Sequence, residues 1–303
     1  MFSRTLTKLI SSRKKGPRVL VVGGMHGNEP VGVRWFEAFQ EKLARGELTL
    51  TRGEAHFLFG NPEAFARGVR HMGFDLNRAF RPSLLEQSPP ASADVARAQE
   101  IARLLEGEQY DAVVDFHSVS RGDVAMVVTR VEREDDDNVI AETAVGVPPA
   151  FPIIFAYQEG DVPGMFVDWA RKHLKAEQAY AVECGNHTSQ LGVGRAWAFV
   201  RWLLGERLAM VEGAWPEDAS LANAQTSRKV YRVVARIDAS ADFRWELPEE
   251  RLHSEEFVEE GEVYARREGK ALCAPEPSYL MMPAVTFAPQ DEAIAFLCRK
   301  VGG

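Results

Sequence analysis

Four short segments carry residue types able to do chemistry together. The first is Gly23-Gly24-Met25-His26-Gly27-Asn28-Glu29-Pro30. An imidazole and a carboxylate separated by two residues on a glycine-rich turn can converge on one cation, and zinc accepts both donor types. Taken alone, the turn also reads as a phosphate cradle or a capping cluster. The second segment is Val113-Val114-Asp115-Phe116-His117-Ser118, a histidine just past a buried apolar run. With His26 and Glu29, His117 completes a two-histidine, one-glutamate set of the kind that leaves a catalytic zinc one open position. Asp115 and Ser118 are placed to orient those ligands.

The third segment is Val182-Glu183-Cys184-Gly185-Asn186-His187. A carboxylate facing the metal can take a proton from water and pass it to a leaving amine. A helix cap or a salt-bridged glutamate is the plainer alternative for Glu183. Cys184 reads as packing, because a thiolate nucleophile needs a partner base. His187 is a candidate for substrate contact. The fourth segment, Val69-Arg70-His71-Met72-Gly73-Phe74-Asp75-Leu76-Asn77-Arg78, pairs an amide donor with a guanidinium fork. Asn77 and Arg78 suit a carboxylate, while Arg70 can polarise a carbonyl and stabilise its oxyanion. Asp75 is placed to hold one of these arginines. A single arginine of this kind is ordinarily solvated; the clustering points to a site.

Elements must bring these segments together. Arg18 to Val22, Ala55 to Phe59, Ala112 to Phe116, Asp123 to Thr129 and Ala179 to Glu183 read as strands. Val31 to Leu43, Ala91 to Leu105, Pro163 to Leu174 and Leu191 to Val211 read as helices. That alternation predicts an α/β fold: a mostly parallel or mixed sheet with helices on both faces. Functional groups in such sheets gather beyond the carboxyl ends of strands. After Gly213, Lys229 to Ile237 alternates like a half-exposed strand, and shorter strands are expected around Val263, Ala271, Leu280 and Ile294. The expected division is a catalytic domain over 1–210 and a smaller β-rich domain over 211–303. Leu84 to Ala93 and Glu132 to Asn138 read as surface loops, and the acidic run Glu134 to Asp137 as a solvated face or a helix start.

At 303 residues, the chain is long enough for such an arrangement. A net charge of −8 argues against broad nucleic-acid binding, which needs a basic surface to displace counterions. It leaves room for an anionic small substrate held by a few arginines. No stretch approaches the roughly 18 apolar residues of a membrane span. The basic start, Met1 to Lys15, lacks the apolar core of a secretory signal. Cys184, Cys273 and Cys298 are sparse and include no C-x-x-C, which suits free thiols in a cytoplasm.

In this order, GGMHGNEPVG, GNPEAFARGVRHMGFDLNRAF, VVDFHS and AVECGNH resemble the succinylglutamate desuccinylase/aspartoacylase family, a branch of the zinc-carboxypeptidase superfamily. The resemblance covers about the first 210 residues, and the β-rich remainder suits the family's smaller second domain. It implies one zinc per chain held by His26, Glu29 and His117, with Glu183 as general base and acid. It also implies Arg70 on the carbonyl and Asn77 with Arg78 on a substrate carboxylate. The expected reaction is hydrolysis of the amide bond of a small carboxylated N-acyl amino acid by metal-activated water. A carboxypeptidase acting on short peptides, or a relative that binds metal or carboxylate without catalysis, are the alternatives. A cytoplasmic protein with no nucleic-acid or membrane partner is expected, and a homo-oligomer is compatible with it. The match assigns no role to Tyr157, Tyr264 or Tyr279.

Overall fold

The computed structural model describes residues 7–131, 147–148, 150–158, 161–216, 228–287, 289 and 291–301. Glu132 to Asn138, with its acidic run, lies outside them. Up to residue 210 the strands are β1 (Thr7–Ser11), β2 (Arg18–Gly23), β3 (Leu48–Leu50), β4 (Glu54–Phe59), β5 (Ala112–Val119), β6 (Ala125–Arg130), β7 (Ile153–Tyr157) and β8 (Gln178–Asn186). They are followed by β9 (Val211–Gly213), β10 (Lys229–Ile237), β11 (Arg244–Trp245), β12 (Glu256–Val258), β13 (Val263–Arg267), β14 (Lys270–Cys273), β15 (Ser278–Met281) and β16 (Ala295–Val301).

One 11-stranded sheet runs in the order β1-β4-β2-β5-β8-β6-β7-β10-β16-β15-β12. The stretch β4-β2-β5-β8 is parallel. β6 runs against β8, and the β6-β7-β10 stretch is parallel again. The remaining pairs beyond β10 are antiparallel. The central strands are continuous apolar runs because both of their faces are covered. Val19, Val21, Val114, Phe116 and Val182 face one layer, where the helices Val31–Ala44 and Gly192–Val200 pack. Leu20, Val22, Val113, Ala179 and Ala181 face the other, under the helices Ala93–Leu104 and Phe166–His173. In the first layer Trp35 stacks on Phe39, and Phe36 stacks on Phe57 across the helix–sheet interface. A third core, around Phe243, Leu252, Val258 and Leu280, lies among the C-terminal strands.

Several boundaries differ from the periodicity. β5 continues past Phe116 through Val119, and β8 past Glu183 to Asn186, because the two strands go on pairing with a register shift after His117. The expected helix Leu191 to Val211 is helical only to Val200. It then widens into a π-helical stretch over Arg201–Arg207, and Val211 enters a strand paired with β3. An apolar run at a helix end cannot be told from a short strand by period alone. β1 and β7 were not anticipated. β1 lies in the basic N-terminal tail, antiparallel to β4 at the sheet edge, and β7 is a buried apolar run between β6 and β10. No helix among the described residues is long and apolar enough to cross a membrane.

Candidate metal centre

β2 ends at Gly23, and the chain turns sharply through Gly24, whose φ of +68° favours glycine. His26, Gly27 and Glu29 follow on a turn wedged against the helix Pro62–Arg67. A Cβ at Gly27 would lie 2.1 Å from the Ala64 carbonyl carbon, so only glycine fits there. The Gly27 amide donates to the Arg70 carbonyl (3.0 Å), tying this turn to the segment that carries Arg70 and Asp75.

His26, Glu29 and His117 are all buried, and their ligand atoms lie within 4.8 Å of one another. Nδ1 of His26 is 2.8 Å from Glu29 Oε1, and Nδ1 of His117 is 2.9 Å from Glu29 Oε2. The far nitrogens are held by carboxylates: His26 Nε2 by Asp75 (3.0 Å) and His117 Nε2 by Asp115 (2.9 Å). An aspartate behind each ring fixes its orientation and leaves the other nitrogen for a cation. Two imidazoles and a carboxylate converging in this way, each braced from behind, fit a divalent metal ion. The Ser118 amide also donates to Glu29 Oε2 (3.0 Å), which explains why this strand carries a second residue of the site.

The electrostatics follow from enclosure. Burial works against charge on His117, but the Asp115 and Glu29 carboxylates outweigh it and hold its pKa well above the usual value. For His26, burial and Arg70 oppose protonation, while Glu29 and Asp75 prevail and raise the pKa. Glu29 is held well below the carboxylate range, the two imidazoles overcoming its desolvation. Asp75 is likewise low, with His26 and Arg70 overcoming burial.

Glu183 is the register partner of His117 on β8, so both side chains project from the same face of the sheet. Burial pushes its carboxyl up to about 7 against the pull of His117, with Glu29 repelling it further. Among the described residues Glu183 Oε2, which is enclosed, has no hydrogen-bond partner. A carboxyl that titrates near neutrality beside a ligand cluster can both accept and return a proton. His187 caps this end of β8, with its Nδ1 2.8 Å from Ser118 Oγ.

The arginine segment is placed differently for each residue. Arg70 donates to Glu29 Oε1 (3.2 Å) and Asp75 Oδ2 (2.9 Å), and its side chain keeps 44% of its surface exposed. Asn77 is buried: its Oδ1 accepts from the Phe166 amide (3.0 Å), and its Nδ2 lies 3.4 Å from His117 Nε2. Arg78 donates from Nη1 to the Asn77 carbonyl (3.1 Å), while its buried Nε has no partner among the described residues. Asp75 holds Arg70, as its position suggested, and also orients His26, which the sequence did not reveal. Asp94 was missed altogether. From the first turn of Ala93–Leu104 it accepts from Asn61 Nδ2 (2.7 Å), the Met72 amide (3.0 Å) and the Phe74 amide (2.9 Å). It thereby fixes the loop leading to Asp75. In the sequence it is indistinguishable from an acidic residue at a helix start.

The sequence model of the succinylglutamate desuccinylase/aspartoacylase catalytic domain matches residues 15–186. A probable aspartoacylase of Nostoc sp. is 38% identical over 110 residues, 34% of this chain and 35% of that protein. A succinylglutamate desuccinylase of Pseudomonas paraeruginosa is 36% identical over 118 residues, 37% of this chain and 34% of that one. These alignments thus span about a third of the length of each relative. Among solved structures, a succinylglutamate desuccinylase from Vibrio cholerae superposes with a TM-score of 0.74 at 18% identity, covering 97% of this chain and 85% of that one. Murine aminoacylase 3 superposes with a TM-score of 0.57 at 21% identity, covering 96% of each chain. At these identities the structures speak for the shared fold alone. The match over residues 15–186 settles membership: the chain belongs to the succinylglutamate desuccinylase/aspartoacylase family.

Proposed function

We propose that this protein is a zinc-dependent hydrolase that cleaves the amide bond of a small N-acyl amino acid. The carrying observation is the His26–Glu29–His117 cluster with Glu183 directly across the strand pair from His117. The names of the relatives, succinylglutamate desuccinylase and aspartoacylase, support the substrate class.

His26, Glu29 and His117 would hold one zinc, and that ion, when bound, supplies Lewis acidity that activates water and polarises a carbonyl. The chain's own groups account for the rest. Glu183 takes a proton from the attacking water as oxygen adds to the amide carbon. Arg70, at the exposed edge of the cluster, stabilises charge developing on the carbonyl oxygen. As the C–N bond breaks, Glu183 returns the proton to the departing nitrogen, and the carboxylic acid and amine so formed part as carboxylate and ammonium. Arg78 grips the substrate carboxylate, its Nη1 braced by the Asn77 backbone carbonyl, while the Asn77 side chain accepts from the Phe166 amide. Hydrolysis of a panel of N-acyl amino acids and short peptides, followed by mass spectrometry, tests this reading. Release of the free amino acid by wild type and its loss in Glu183→Gln are expected; cleavage of peptides alone would overturn it.

A further inference from the structure

β8 departs from a regular strand immediately after Glu183. His117 and Val119 on β5 are two positions apart, yet their partners on β8, Glu183 and Asn186, are three apart. One extra residue is thus inserted beyond Glu183, the arrangement of a β-bulge, which re-aims the side chains beside it. On the other side of β8, pairing with β6 ends at Ala125 and Cys184. Gly185 follows with a φ of +91°, where glycine is favoured.

Two side chains take over where the ladder stops. Asp123, just ahead of β6, accepts at Oδ1 from the Asn186 amide (3.0 Å) and Arg195 Nη1 (2.6 Å). Its Oδ2 accepts from Ser189 Oγ (3.0 Å). Arg195, on the helix Gly192–Val200, also donates from Nη1 to the Cys184 carbonyl (3.1 Å). The pair thereby holds the backbone on both sides of Gly185. It packs directly on that residue: a Cβ there would fall 2.0 Å from Arg195 Nη1 and 2.2 Å from Asp123 Oδ1. The Asp123 side chain is 41% exposed, and an ion pair this open to water contributes little to stability. Its main effect is to fix the course of the chain.

That course bears on Glu183. Among the described residues no hydrogen bond holds its carboxyl, whose Oε2 is enclosed. A carboxyl without such a partner takes its place from its own backbone. Pairing with His117 sets that backbone at the residue itself, and the Asp123–Arg195 pair sets it just beyond. A displacement of about 1 Å in a reacting group can cost about 100-fold in rate.

Resting on the role given to Glu183 above, we infer that Asp123 and Arg195 are positioning residues for proton transfer. They act through the backbone of residues 184–186, locking the bulge so that the Glu183 carboxyl stays beside the His26–Glu29–His117 cluster.

The test uses the full chain carrying Arg195→Ala, Gly185→Ala or Asp123→Asn, with circular dichroism to confirm folding. On the N-acyl amino acid that wild type cleaves fastest, Arg195→Ala and Gly185→Ala should each lower kcat by about 10–100-fold. KM and zinc content should not change. Asp123→Asn, which keeps one acceptor oxygen and loses the charge, should show a smaller loss of the same kind. In the Glu183→Gln background each change should cost less than about twofold, because residues acting through Glu183 have nothing further to lose there. A crystal structure of Arg195→Ala should show the Glu183 carboxyl displaced, with His26, Glu29 and His117 superposing on wild type. Unchanged kcat, a rise in KM alone, full additivity with Glu183→Gln, or a Glu183 carboxyl left in place overturns the proposal. If Gly185→Ala does not fold, Arg195→Ala and Asp123→Asn decide. If wild type cleaves no member of the panel, the deacylase reading falls, and the crystal structure alone decides whether the pair places Glu183.

Discussion

Glu183 and His117 stand opposite each other in the parallel pairing of β8 and β5, so backbone hydrogen bonds set the separation of the proposed base and the proposed ligand. Adjacent strands lie about 4.8 Å apart, and a slip of one residue would send one of the two to the far face of the sheet. Glu183 is therefore as fixed as His117.

Glu183→Gln should lower kcat by about 10²–10⁴-fold while leaving the metal content unchanged. Its effect on stability has a sign that can be worked out. The folded-state pKa, about 7, lies above the ordinary 4.5, so the folded state binds this proton more tightly. Folding is therefore penalised as pH rises from about 4.5, and the penalty is complete above about 7. Metal-free Glu183→Gln should be more stable than metal-free wild type at pH 8, by at most about 3 kcal/mol, and nearly equal to it at pH 4. Urea unfolding at the two pH values reads this directly; a gain of equal size at both would remove the burial argument.

Purified protein should carry about one zinc per chain, and His26→Ala or His117→Ala should lose both metal and activity. Elemental analysis together with circular dichroism separates this from unfolding. Stoichiometric zinc in either well-folded variant would dismiss the ligand assignment.

Because the pKa values of His26 and His117 are raised by their carboxylate neighbours, metal binding near pH 7 should expel protons. Affinity is expected to weaken on acidification, starting above the ordinary imidazole range. Titration calorimetry in buffers of different ionisation enthalpy counts the protons. A buffer-independent heat would contradict the charge assignment.

Asp115→Asn replaces the carboxylate behind His117 and should weaken metal binding by about 10–100-fold with the fold retained. Competition with a chromogenic chelator measures the change, and unaltered affinity would show that Asp115 is only packing.

Asp94→Ala leaves the Met72 and Phe74 amides and the Asn61 side chain without their acceptor. A loss of about 2–4 kcal/mol is expected, with activity falling because Asp75 and Arg70 lie on the freed loop. Chemical denaturation and turnover should decline together.

The sheet strands and the candidate ligand cluster were legible because their signals are local. Arg18 to Val22 and Ala112 to Phe116 are apolar runs long enough only for strands, and His26 and His117 follow them directly. The order of the motifs in the chain then pointed to a family. Contacts between distant segments were not legible. Nothing in the sequence tells that Asp75 reaches His26, that Asn77 is taken up by the Phe166 amide, or that Asp94 fastens the loop. β1 was hidden because a polar edge strand needs only one covered face and so lacks an apolar run. Asp291 and Glu292 carry no local signal in the sequence, since only the return of β16 to β10 brings them near Arg78.

That return has a consequence for rigidity. The acidic residues are anchored to the end of β10, which belongs to the same continuous sheet as β5 and β8. Hinging this edge away from β5 and β8 would tear ladder hydrogen bonds across the sheet, so the edge and the cluster keep a fixed spacing. Side chains at this edge can therefore be exchanged without disturbing the strand pairing beneath.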